Sequence, residues 1–117
     1  MSAASFAALP DPPYWAVIFS NQRRGHGEPA DDAGYAAAAQ HMVDLAADQP
    51  GFLGIESTRD GSGFGITVSY WQSPEALLAW RRQVDHAATR ELGRERWYEH
   101  YELRVARVER AYGWNQA

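Results

Sequence analysis

Apolar residues along this chain fall into blocks with two different periods. Tyr14 to Asn21 (YWAVIFSN) is a dense run of aromatic and β-branched side chains, which predicts a buried strand. Gln22 to Asp32 carries glycine, proline and charge and reads as a surface loop. From Ala33 to about Asp48 the period lengthens. Tyr35, Ala38, Ala39, Met42, Leu45 and Ala46 recur at helical spacing and make one face, with Asp31 or Asp32 as the cap. Pro50-Gly51 stops that helix. Phe52 to Arg59 and Phe64 to Trp71 return to strand character, and Asp60-Gly61-Ser62-Gly63 between them has the composition of a tight hairpin. In the third strand Phe64, Ile66, Val68 and Tyr70 share one face, and Gly65, Thr67, Ser69 and Trp71 the other.

Ser73-Pro74-Glu75 is a helix start: a hydroxyl cap, a proline in the first turn and an acid near the positive end of the dipole. The second helix is expected to run to about Leu92, with Leu77, Trp80, Val84, Ala87 and Ala88 inward and Gly93 as its end. Arg94 to His100 is expected to add a helical turn. Tyr101 to Tyr112 is the last strand, and Val108 falls out of phase with Leu103 and Val105, which predicts a bulge or a strand that leaves its own sheet. Residues 1–13, ending in LPDPP, form a stiff lead-in, 14–112 the domain and 113–117 a tail.

The order is β-α-β-β-α-β, the ferredoxin-like pattern of an α+β fold: a four-stranded antiparallel sheet with two helices on one face. The other face stays bare. Trp15, Phe19, Phe52 and Trp71 are expected to oppose the set that packs on the helices. Leaving such a surface in water is unfavourable by ~25 cal/mol per Å², so a homodimer that packs sheet against sheet is expected.

Composition narrows the chemistry. The 117 residues suit one domain, and no apolar run is long enough for a membrane span. Without cysteine there is no disulfide, thiolate metal site or cysteine nucleophile. All 11 basic residues are arginine, so a lysine Schiff base is excluded. A net charge of −4 is the wrong sign for a nucleic-acid protein. The N-terminal residues carry neither a basic nor a long apolar segment, so a cytoplasmic protein is expected.

Candidate chemistry is sparse. Asn21, at a strand end, can hydrogen-bond a substrate oxygen or hold its own turn. Trp80 offers a flat wall or simply core. His86, six residues on, is the best general base by its reference pKa near 6.5. Arg90, a turn later, can hold an anionic oxygen or pair with a surface acid. Tyr70 can line the same space. No two histidines have metal-ligand spacing. Gly61 to Gly65 joins two strands, so it is a hairpin and not a phosphate loop.

PGFLG (Pro50 to Gly54), ITVSYWQSPEALLAW (Ile66 to Trp80) and a histidine soon after resemble the antibiotic biosynthesis monooxygenase family. Gly93 to Tyr98 and Arg104 to Glu109 resemble one branch of small bacterial members. The resemblance runs from about Tyr14 to Tyr112. It implies a dimeric α+β barrel with a site between helices and sheet. Some relatives oxidise polycyclic phenols to quinones with dioxygen and no cofactor, while others bind and open haem. In the haem-degrading relatives an asparagine on strand one, a tryptophan on helix two and a histidine further along that helix form the site. Asn21 and Trp80 match the first two, but ten residues after Trp80 stands Arg90, with His86 one turn earlier. The expectation is a cofactor-independent monooxygenase acting on a small aromatic, phenolic or quinol substrate, with Asn21, Trp80 and His86 catalytic and Tyr70 and Arg90 on the substrate. Haem degradation, or a non-catalytic dimeric module for a small aromatic ligand, is the alternative.

Overall fold

A computed structural model describes residues 5–25, 29–90 and 97–116, with the side chains of 29–32 and 84–90 outside the described set. Its elements are β1 (Tyr14–Arg23), α1 (Pro29–Ala47), β2 (Phe52–Arg59), β3 (Phe64–Trp71), α2 (Pro74–Arg90) and β4 (Tyr98–Val108). The strands form one antiparallel sheet in the order β2-β3-β1-β4. This is the ferredoxin-like β-α-β-β-α-β arrangement read from the periodicity.

Both helices lie on the Trp71 side of the sheet. Ala46 of α1 and Leu77 of α2 close over the Trp71 indole, with Trp15, Val17, Phe52, Ala76 and Trp80 packed around them. The α1 stripe faces inward as expected: Tyr35, Ala38, Ala39, Met42, Leu45 and Ala46 are covered, while Gln40, His41 and Asp44 are exposed. Ser73 Oγ accepts the Ala76 N–H at 3.1 Å and caps α2. The turn before β2 is equally tight. Gly51 sits at φ +84°, and a Cβ there would stand 2.5 Å from that of Ala76. The Asp60–Gly63 hairpin closes on one carboxylate oxygen, which accepts the Ser62 N–H (2.9 Å), the Ser62 hydroxyl (2.6 Å) and the Phe64 N–H (3.1 Å). The Ser62 hydroxyl, helped by these amides, holds the exposed Asp60 carboxyl below its ordinary value.

The two sheet faces are the reverse of the expectation. Trp15 pairs with Trp71 in register, and Phe52 also faces Trp71, so these large rings lie under the helices. Phe64, Ile66, Val68 and Tyr70 alternate with Trp71 and therefore point to the outer face, where Phe64 and Ile66 are exposed. The apolar phase of β3 (Phe64, Ile66, Val68, Tyr70) hid this, because alternation identifies two faces without saying which is covered, and the covered face of this strand carries Gly65, Thr67 and Ser69 beside Trp71. Phe19 and Trp15, expected on the bare face, stand with Trp71 on the covered one.

Several boundaries also move. β1 continues through Gln22 and Arg23, past a register shift in its ladder with β4. Proline is at home in a first helical turn, and α1 starts at Pro29, four residues before the expected Ala33. β4 already begins at Tyr98, so Tyr98 to His100 are strand and not an added helical turn; residues 91–96, with the expected end of α2, lie outside the described residues. The irregularity expected at Val108 occurs at the opposite end of β4. Val108 pairs with Tyr14 in unbroken register and simply belongs to the outer face, and β4 ends there, short of Tyr112.

The N-terminal segment straps the outer face. The Ala7 N–H donates to Glu56 Oε2 at 3.0 Å, and the Tyr70 hydroxyl donates to Glu56 Oε1 at 2.6 Å. Gly54 leaves room for Ala7 and Leu9 to lie against β2, where a Cβ would come within 2.8 Å of that of Ala7. Tyr14 and Ala16 are buried.

Candidate functional site

Asn21 and Arg23, on the helix side of β1, are 2% and 3% exposed, too buried for an amide and a guanidinium unless neighbours hold them. The neighbours come from four elements. Arg59, at the end of β2, donates from Nη2 to Asn21 Oδ1 (2.8 Å) and to the Tyr35 hydroxyl of α1 (2.9 Å), and from Nη1 to the Gly63 carbonyl (2.6 Å). That carbonyl also accepts the Arg23 N–H at 3.0 Å, so the hairpin is drawn onto the site. The Tyr98 hydroxyl of β4 donates to the Tyr35 hydroxyl at 3.2 Å. The Arg23 guanidinium lies 3.7 Å from the centre of the Tyr35 ring, and its Nε donates to the Trp97 carbonyl at 3.3 Å.

Aromatic rings wall this cluster. Tyr35 meets Trp97 and Tyr98 edge-on, and Phe19 packs against Tyr98 and Tyr101. Burial, then the nearby Tyr35, pushes the Tyr98 phenol well above its ordinary 10.0, with Arg59 and Arg23 pulling the other way. Tyr98 is therefore a proton donor at neutral pH.

Two details fix what the cluster can do. Because Arg59 donates to Asn21, the oxygen of that amide is identified by chemistry and its NH₂ must point elsewhere. One of those N–H groups makes a long 3.4 Å contact to the Phe19 carbonyl, so the amide keeps donor capacity in a buried place. Arg59 can lie flat only because Gly65 is opposite it in the ladder; a Cβ there would stand 2.8 Å from the guanidinium carbon.

The expected site residues separate. Asn21 is in the cluster. Trp80 stacks on Trp71, with centroids 5.6 Å apart and planes at 22°. Trp71 pairs with Trp15, six residues along β1 from Asn21, which is about 20 Å at 3.3 Å per residue. Asn21 and Trp80 thus mark opposite ends of one sheet face. Tyr70 stands on the other face, bonded to Glu56, and does not reach this space; burial, then Glu56, raises its phenol above the ordinary value. His86 and Arg90 belong to α2, but their side chains lie outside the described residues. Among the described residues no group of three or more His, Cys, Asp or Glu side chains is arranged to hold a metal ion.

Arg59, Tyr35, Tyr98 and Arg23 were not among the expected residues. One signal pointed to them. Gly65 has no side chain on a face otherwise carrying Trp71, and the residues across from it, Asn21 and Arg59, are both polar.

Comparisons with known proteins bear on the fold and the family. An uncharacterised protein of Bacillus subtilis, YqjZ, is 54% identical over 101 residues, covering 86% of this chain and 84% of the relative. A jasmonate monooxygenase of Pyricularia oryzae is 31% identical over 98 residues, or 80% of this chain and 43% of the relative, so the chain spans less than half of that protein. Among solved structures, SnoaB, a cofactor-independent oxygenase from Streptomyces nogalater, superposes with a TM-score of 0.66 at 16% identity, covering 86% of this chain and 97% of its own, a likeness of fold. The antibiotic biosynthesis monooxygenase profile matches residues 20–92, more than half of the sequence, from the strand that holds Asn21 to the end of α2. The chain belongs to the antibiotic biosynthesis monooxygenase family.

Proposed function

We propose that this protein is a cofactor-independent monooxygenase that oxidises a small phenolic or quinol ring with dioxygen. The observation that carries the reading is the Asn21 amide, buried, oriented by Arg59 and left with a donor to spare among aromatic walls. Family membership and the fold shared with a cofactor-independent oxygenase support it.

The chemistry needs no external reductant. Removal of the phenolic proton gives an electron-rich anion. A ring carbon of that anion transfers electrons to dioxygen and forms a carbon–oxygen bond. The hydroperoxide loses water, so phenol and dioxygen yield one quinone and one water. In this reading Trp80, stacked on Trp71, belongs to the packed end of the sheet and not to the reacting ring, while His86 is the base and Asn21, with Arg90, stabilises charge developing on oxygen. A well-placed donor of that kind contributes ~2.7–4 kcal/mol to the transition state. The protein works as a cytoplasmic homodimer joined through the outer sheet face, where Phe64 and Ile66 are exposed. A monomer mass in sedimentation at micromolar concentration would overturn that assembly.

Oxygen uptake with a panel of quinols and polycyclic phenols tests the reaction. One dioxygen is consumed per quinone formed, Asn21→Ala lowers kcat about 100-fold, and His86→Ala removes the acidic limb of the pH profile, where the base would be protonated. A haemin titration leaves the Soret band unshifted. Uptake no faster than the protein-free blank across the panel would overturn the proposal.

A further inference from the structure

Arg59 is a partly buried cation whose hydrogen bonds, among the described residues, all go to neutral oxygens, with its guanidinium 5.3 Å from the centre of the Tyr35 ring. Its three hydrogen bonds go to a backbone carbonyl, an amide and a phenol, and among the described residues no carboxylate pairs with it. Removing a cation from water is unfavourable unless an opposite charge or a full set of acceptors meets it. These contacts use three of its five N–H donors. The Tyr35 hydroxyl beside it accepts from both Arg59 and Tyr98, which leaves its own proton to donate. Arg23 stacks on the same ring. Gly65 keeps the floor clear for the guanidinium. A fixed cation, a free hydroxyl proton and surrounding flat rings form a receptor for a negatively charged oxygen on an aromatic body.

We propose that Arg59 and Tyr35 form an anion-binding subsite that takes the phenolate or carboxylate oxygen of a flat aromatic ligand. The subsite deepens the oxygenase reading and rests on it for its place in catalysis: the substrate is held as its anion, so Arg59 favours the deprotonated ring before dioxygen arrives. Arg59 is then both a specificity determinant and a positioning residue, since it also orients the Asn21 amide.

Isothermal titration calorimetry of the full chain with four probes tests this. The first pair is 2-naphthoate against 2-naphthamide. The second is 2-naphthol on either side of its own ionisation. The wild-type chain is expected to bind at least one anion about tenfold or more tightly than its neutral partner, the size of one charge-assisted contact. The carboxylate arm and the phenolate arm identify which oxygen the subsite takes. Arg59→Gln brings that ratio to about one while naphthamide binding persists, and Tyr35→Phe reduces it in part. Gly65→Ala keeps the charge but displaces the guanidinium, and lowers the ratio even where Arg59→Gln is poorly folded. Equal binding of anion and neutral partner, no binding of any probe, or an unchanged preference in folded Arg59→Gln would overturn the proposal. An anion preference without oxygen uptake leaves the subsite standing and removes only the oxygenase. Uptake without the preference does the reverse.

Discussion

At the Trp71 end of the helix-covered face, a fully buried indole stacks on Trp80 and packs against Leu77, Ala46 and Phe52, with its own N–H satisfied by Ser69 Oγ at 2.9 Å. At the Asn21 end, some six residues along the same strand, a buried amide, the buried Arg23 guanidinium and the partly buried Arg59 guanidinium are set against phenols. The first end turns aromatic surface into stability and leaves few polar atoms to satisfy. The second spends burial on groups that gain little by it, and holds them in one arrangement by hydrogen bonds. One end of the sheet is built to persist and the other to present donors.

The difference can be broken from either side. Trp71→Ala is expected to cost ~3–5 kcal/mol by chemical denaturation, the range for a large ring removed from a core, with no change in the ratio of anionic to neutral ligand affinity. A loss of that ratio in a folded variant would mean that the two ends are not separable. Gly51→Ala strikes the same end through the backbone. A side chain at φ +84° that also meets Ala76 is expected to cost about 2 kcal/mol, read as a lower denaturation midpoint with ligand preference intact.

The smallest effect sharpens the polar end. Tyr98→Phe removes one hydrogen bond to Tyr35 and should cost about 1 kcal/mol near neutral pH. Its pH signature is more informative. The Tyr98 phenol is held neutral in the fold, above its ordinary 10.0, while the unfolded chain ionises near that value. The native state therefore retains a proton that the unfolded state releases. The contribution is fully present below pH 10.0 and is lost as pH rises toward the folded value. Melting temperatures from about pH 8 to about pH 11 should fall more steeply for the wild type than for Tyr98→Phe, Tyr70 supplying the slope that remains.

Periodicity and turn residues made the fold legible: the order of six elements, the Asp60–Gly63 hairpin, the Ser73 cap and the α1 stripe could all be read along the chain. Which sheet face the helices cover could not. In β3 the more apolar phase points outward and Trp71 is the one large side chain of the covered phase, so the choice depends on α1 and α2 bringing Ala46 and Leu77 over Trp71, a contact between distant residues. The site suffered from the same error. With Trp71 assigned outward, Arg59 was only the end of a strand and Arg23 part of an expected loop, and neither stood out. Only when Asn21, Gly65 and Arg59 are set side by side in the ladder does their shared face become visible. Asn21 was legible by its position at the end of β1; its partners belong to elements 14 to 77 residues away.

The hairpin of four residues carries one more consequence. Its last carbonyl, that of Gly63, receives both the backbone of β1 and the guanidinium of Arg59. Loop length here therefore acts as a ruler for chemistry. Among descendants of this sequence, an insertion between β2 and β3 would shift that carbonyl and unseat the arginine, so hairpin length and the residue at position 59 should change together, and divergence of substrate preference should leave its trace in a turn that never touches the substrate.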